Sequence, residues 1–192
     1  MPIIDWNKAE QRAVTETINA VRDFAAEHSD EECCYFAFDS DPQYGYVLLC
    51  FDTTDNSRRS AQAREHSAVE RRKQTLSGEQ AWEYSSHFLR SPVLAPFGDD
   101  TGNFAFIGYR KLSFPDWDQF AQDPAYPAKK ENCDDWLEGH FRVLVWKVVE
   151  RLVAEGAFDC LRKSSPFMIG YGIHDQEMSI VRMINWKREK GS

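Results

Sequence analysis

Arg182 is the residue with the most to explain. It interrupts the apolar stretch Met178 to Ile184, between Val181 and Met183, and strand alternation puts it on one face with Ile180 and Ile184. A guanidinium in such a place needs a carboxylate partner, or it marks a sheet edge or an anion site. A reactive thiol is the second chemistry on offer. Cys133 precedes a long helix whose dipole would favour the thiolate, and His140 follows two turns later as a base. The acids Glu131, Asp134, Asp135 and Glu138 around that thiol oppose its ionisation. Cys133, His140 and Arg182 together form the site expected if the chain is an enzyme or a small-ligand binder.

Paired carboxylates are plentiful: Asp39 with Asp41, Asp99 with Asp100, Asp116 with Asp118, Asp134 with Asp135. General acid catalysis needs one member of a pair desolvated, whereas adjacent acids in loops and at helix starts are ordinarily solvated caps. His28, His66, His87, His140 and His174 are scattered, none three or four residues from another or from a cysteine, so no metal set is expected. Cys33 and Cys34 are neighbours on a strand and point to opposite faces. Phosphate-cradling glycine loops and zinc or serine-hydrolase motifs are missing, so no cofactor and no catalytic residue is assigned. Gly170-Tyr171-Gly172 lies inside a strand and reads as close backbone packing.

These residues are carried by a recognisable run of elements. Trp6, Ala9, Ala13, Ile18, Val21 and Phe24 recur at helical spacing behind Asp5, an N-cap candidate, so a helix is expected from Asp5 to Glu27. Cys33 to Phe38 and Tyr44 to Phe51 flank the turn residues Asp39 to Gln43, which predicts a hairpin. Both strands are apolar on both faces, as central strands are. Arg58 to Leu76 reads as a thinly amphipathic, exposed helix capped by the polar run from Asp52, and Glu79 to Leu89 as a second helix. A strand is expected at Asn103 to Tyr109, with Phe104 and Phe106 on one face, and a short helix after Ser113-Phe114-Pro115. Asn132 to Glu155 is apolar over more than half its circumference, which predicts a mostly buried helix stopped by Gly156. Phe167 to Ile173 and Met178 to Ile184 make a last hairpin. The expected fold is a single α+β domain spanning 1–192. Its mainly antiparallel sheet, of about five strands, packs against the N-terminal helix and the long late helix.

Composition narrows the function classes. The chain has 192 residues, 42% of them hydrophobic and 14% aromatic, enough to build one folded core. No apolar run approaches the roughly 20 residues that cross a bilayer, and the start Met1-Pro2-Ile3-Ile4 lacks the pattern of a secretory leader. Five cysteines, two of them adjacent, fit reduced thiols and a cytoplasmic location. The net charge of -8 argues against nucleic acid or an anionic membrane as partner. Arg58 to Lys73 nonetheless carries six bases against two acids, so the remainder is more acidic still.

A helix followed by Tyr35-Phe36-Ala37-Phe38, a Tyr-Gly-Tyr strand closing on Phe51-Asp52-Thr53, the segment Trp82-Glu83-Tyr84, a long apolar helix and a final strand Val181-Arg182-Met183-Ile184-Asn185 resemble a bacterial family known only as a domain of unknown function. The order of pieces spans nearly the whole chain, although Trp186 stands where that family usually has proline. Its members are encoded among polymorphic-toxin and immunity genes, which implies an immunity-type inhibitor that binds a toxin, with no catalytic residues to carry over. The residues independently favour another protein, possessing a basic surface, as the partner. Asp39, Asp41, Tyr44, Asp99, Asp100 and Trp117 are the expected contacts, as acidic loops with exposed aromatics. The other two readings are the enzyme or ligand site above and a self-associating module in which the basic helix docks on another copy.

Overall fold

The computed structural model describes residues 4–40, 45–75, 97–98, 100–114, 116–117, 130–173 and 178–184. Five strands, β1 (Cys33–Ser40), β2 (Tyr46–Thr53), β3 (Phe106–Ser113), β4 (Lys163–Ile173) and β5 (Ser179–Ile184), form one sheet in the order β3-β2-β1-β4-β5. With α1 (Trp6–Glu27), α2 (Thr54–Thr75) and α3 (Lys130–Ala154) the fold is α+β. β1 takes the centre because both of its faces are apolar. Phe36 and Phe38 enter one core while Tyr35 and Ala37 enter another on the opposite side. The hairpin with β2 pairs Phe36 with Phe51 and Phe38 with Leu49.

Short sequential connections favour antiparallel neighbours, and three of the four pairings are antiparallel. The fourth, β1 with β4, is parallel, with Phe36 opposite Ile169 and Phe38 opposite Tyr171. A parallel neighbour needs a long crossover, which the segment between β3 and β4, containing α3, supplies. The helix expected over Glu79 to Leu89 lies outside the described residues.

α1 and α3 cover one face of the sheet. Asp5 caps α1 as expected, its Oδ1 accepting from the Lys8 backbone N–H at 3.0 Å. Phe24 of α1 stacks on Phe51 with ring centroids 4.0 Å apart and planes within 8°. Leu137, Phe141, Leu144, Val145, Val148, Val149 and Leu152 of α3 complete this core. The edge strand β3 is clipped to α1 by the Tyr109 hydroxyl donating to Glu27 at 2.7 Å and by Arg110 against Asp23 at 2.7 Å. Burial and the Glu27 carboxylate push the Tyr109 hydroxyl up to about 12.

The other face is covered by the first turns of α2 and by the segment Gly98 to Ala105 crossing the sheet. Phe97 and Phe104 both pack on Tyr35. Phe104 and Phe106 therefore end on opposite faces, not on one. Phe104 belongs with Tyr35, Cys50 and Met168, whereas Phe106 meets Phe24 edge-on at 5.0 Å. The physical reason is that β3 begins only at Phe106, after a turn at Ala105, so strand alternation does not link the two rings.

Candidate functional site

The end of strand β1 and an acidic turn far from it in sequence meet at one end of the sheet. Asp39 lies at the end of β1, and Asp100 opens a single 3-10 turn, Thr101–Asn103, in the crossing segment. Gly172 of β4 sits between them. A side chain there would begin 3.1 Å from Thr101 Oγ1 and 3.2 Å from Asp39 Oδ1. The glycine is thus needed for close approach, and the same holds at Gly170, where a Cβ would fall 2.5 Å from the Ser179 carbonyl oxygen of β5. Asp100 is exposed and caps its turn, with Oδ1 accepting from the Gly102 N–H at 2.9 Å and Oδ2 from Asn103 at 2.7 Å. Asp100 is exposed at this end of the sheet, where charge can steer an approaching partner, while Asp39 beside it is half-buried. Asp41, Tyr44 and Asp99, the other residues expected here, lie outside the described residues.

Trp117 is a correction. Expected as an exposed contact, it is 0% exposed and sits among Trp6 at 5.7 Å, Phe114 at 5.6 Å and Phe141 at 6.0 Å. It follows β3 directly and falls between α1 and α3, so it closes the end of the core. Proximity to a polar helix start gave it the look of a surface residue.

Two residues of the alternative site, His140 and Arg182, are held in separate settings. His140 stacks on Trp6 at 4.9 Å with planes within 10°, and Trp136 meets its edge at 4.3 Å. It is a boundary imidazole packed between indoles. Arg182 is half-exposed and reaches Glu150 of α3 at 3.6 Å, almost three turns, or about 15 Å, beyond His140. The ion pair on an edge strand answers its place in an apolar run. Its neighbours differ from the expectation. The β4–β5 register slips between Ile169 and Gly170, so Val181 and Ile184 pack toward the helices while Ile180 packs on the opposite face. Arg182 shares its face with Val181 and Ile184 instead of with Ile180. Cys133 is the fourth residue of α3 and does not precede the helix, because the helix begins at Lys130. Among the described residues no group of three His, Cys, Asp or Glu is placed to hold a metal.

The remaining thiols follow burial. Cys33 faces the helices and Cys34 the crossing segment, as alternation predicts. Burial pushes Cys33 and Cys50 up to about 12 and Cys34 higher, with the carboxylate of Asp52 raising Cys34 further. At pH 8 a thiol at about 12 is ionised to roughly one part in ten thousand, so these three are chemically silent. We predict that a thiol reagent modifies exposed Cys160 in the native protein and reaches Cys33, Cys34 and Cys50 only after unfolding. Mass mapping of the labelled peptides checks this, and native labelling of Cys34 would contradict the packing.

Two features escaped the residue-level reading. The first is a polar clasp on Asp52, a residue only 1% exposed. Its Oδ1 accepts from the Thr53 N–H at 3.0 Å, Asn56 Nδ2 at 2.8 Å and the Ala105 N–H at 3.0 Å. Asn56 Nδ2 also donates to the Asn103 carbonyl at 2.8 Å, and Ser57 Oγ accepts from the Gly98 N–H at 2.9 Å. One carboxylate thus ties the end of β2, the start of α2 and the crossing segment. Burial raises the Asp52 pKa above its ordinary 3.8, against the lowering effect of these donors. The signal was the polar run after Phe51, which marks a cap but cannot name the distant donor at Ala105.

The second is the outer face of α3. Trp136, Val143 and Trp146 are 43%, 51% and 58% exposed, so the helix is not buried all round. Val143 and Trp146 lie on the side opposite Leu137, Phe141 and Val148, which face the sheet and α1, whereas Trp136 is turned toward α1 and meets Trp6 edge-on at 6.1 Å. A helix lying on one sheet beside one other helix has only part of its circumference to bury.

Comparison of the chain with protein-family models, with curated proteins and with solved structures gives no match in any of the three. Among the described residues no helix is long and apolar enough to cross a membrane.

Proposed function

We propose that this chain is a protein-binding module of the immunity type, which neutralises a cognate toxin domain with a basic surface by direct binding in the bacterial cytoplasm. The observation that carries the reading is the meeting of Asp39 and the Asp100–Thr101 turn over Gly172. Asp41 and Asp99 are two further acids close to them in sequence. A net charge of -8 supplies a long-range field of the same sign. Such a field raises the encounter rate with a basic partner and disfavours acidic ones. The toxin and immunity setting comes from the family resemblance, and the inhibitory role rests on it.

The test is recovery of partners by the tagged protein from its native host at low and high salt. One basic protein, captured at low salt and lost as salt screens these charges, is the expected result. Asp39→Asn, Asp41→Asn, Asp99→Asn and Asp100→Asn, combined, keep the side-chain shapes. At position 100 the amide oxygen can still accept from the Gly102 N–H, although the second acceptor toward Asn103 is lost. The four substitutions are expected to slow association with that protein about tenfold or more at low salt, with little change in dissociation. Equal association rates for the two proteins, or capture of no basic protein, would overturn the reading.

A further inference from the structure

The two faces of the sheet are covered unequally. Counted in buried residues among those described, the core beneath α2 and the crossing segment is less than a third the size of the core beneath α1 and α3. Among the described side chains of α2, Ala61 is the only buried apolar one. A helix with so little apolar surface against its neighbours draws little stability from packing and does not hold alone.

The two parts of this cover are fastened to each other. Ser57 Oγ of α2 accepts from the Gly98 N–H at 2.9 Å, Asn56 Nδ2 donates to the Asn103 carbonyl at 2.8 Å, and Arg64 Nη2 donates to the Phe97 carbonyl at 3.3 Å. Asp100 closes the segment's own turn. The footing on the sheet is narrower. It consists of Phe97 and Phe104 against Tyr35, Thr101 beside Gly172, and the Ala105 N–H on Asp52. Regions held by few buried apolar contacts open at a free energy below that of global unfolding.

We propose that the crossing segment and the part of α2 from Thr54 to Arg64 form one cooperative flap, which lifts from the sheet while the strands, α1 and α3 stay folded. Closed, the flap sets the Asp100 turn beside Asp39; lifted, it carries Asp100 away and bares Tyr35. A partner that grips Asp39 and Asp100 together binds the closed form and holds it shut. That consequence rests on the function proposed above, whereas the opening itself is measured on the chain alone. The lifted form is a minor one, about one molecule in a thousand, so the thiols beneath it stay silent to a brief reagent pulse.

Amide hydrogen exchange of the full chain in low denaturant tests this, with Leu152→Ala in the fully buried core under α3 and Phe104→Ala in the flap. In the wild type the amides of Gly98, Ala105, Ala61 and Arg64 are expected to share one opening with one denaturant slope. They should be at least about a hundredfold less protected than the slowest amides of β1. Leu152→Ala is expected to speed those β1 amides about thirtyfold or more and to leave the flap amides within about twofold. Phe104→Ala is expected to speed the flap amides about a hundredfold or more. Flap amides that speed up with Leu152→Ala as much as β1 does would be opening only by global unfolding, which overturns the proposal. Ala61 and Arg64 exchanging independently of Gly98 and Ala105, or flap amides without a denaturant slope, overturn it as well.

Discussion

Trp117→Ala is expected to lower the free energy of unfolding by about 3–5 kcal/mol, the usual cost of deleting a large aromatic from a well-packed core. Set against the roughly 5–15 kcal/mol that holds a domain of ordinary stability together, this is a large fraction. Trp117 is fully buried and bridges Trp6 of α1, Phe114 after β3 and Phe141 of α3. Its removal leaves a cavity bounded by three elements that cannot collapse together without shifting the helices on the sheet. Denaturant titration followed by far-ultraviolet circular dichroism measures the loss. Any partner binding should fall only in proportion to the unfolded fraction. A variant that stays within about 1 kcal/mol of wild type yet loses its partner would return Trp117 to the docking surface.

Asp52→Ala is expected to cost about 3 kcal/mol, because it strips the acceptor from the N–H groups of Thr53 and Ala105 and from one amide hydrogen of Asn56. The loss should be felt first where the clasp holds. Backbone amides of the crossing segment and of the first turn of α2 should exchange with solvent faster than those of β1. Asp52→Asn costs less, since an amide oxygen can still accept, and its cost should depend on pH. Burial raises the Asp52 pKa above 3.8, so the folded protein takes up a proton more readily than the unfolded chain does. Between the raised value and 3.8 the wild type therefore gains stability from this group as pH falls, while at neutral pH the buried charge is a standing cost. The deficit of Asp52→Asn relative to wild type should be smallest at neutral pH and widen on acidification. Subtracting the two unfolding free energies at each pH removes the contribution of the other carboxylates. A difference that is flat, or that narrows toward acid, would contradict the burial argument.

Both predictions concern residues that the sequence presents ambiguously. Asp52 follows an apolar strand and precedes a helix, so its role as a cap is legible. Its bond to Ala105 is not, because that contact spans half a hundred residues and exists only once the crossing segment lies on the sheet. Trp117 stands beside Pro115 and Asp116, a local setting typical of surface helix starts, and only the closing of α1 against α3 buries it. Arg182 was legible as a residue requiring a carboxylate, while the identity of Glu150 was not.

Periodicity, together with turn and cap residues, indicated the described helices and strands by type, since burial on one side repeats every 3.6 residues in helices and every second residue in strands. Several bounds moved by three or four residues, β3 running over Phe106–Ser113 where Asn103 to Tyr109 was expected. The pattern marked both strands of the first hairpin as central, because residues such as Phe36 and Phe38 on one side and Tyr35 and Ala37 on the other need two covers. The strand order that puts β1 in the middle came only with the fold. Asp5 was recognisable as a cap because capping is a bond between near neighbours in sequence. Only the tertiary structure decided which strands are parallel, where the β4–β5 register slips, which acidic turn meets the end of β1 over Gly172, and which part of α3 stays exposed. These depend on contacts between residues distant in the chain, where one apolar side chain can substitute for another and local preference is silent. A tryptophan in the sequence announces a large area to cover; whether α1, the sheet or another molecule covers it is settled only by what the fold places beside it.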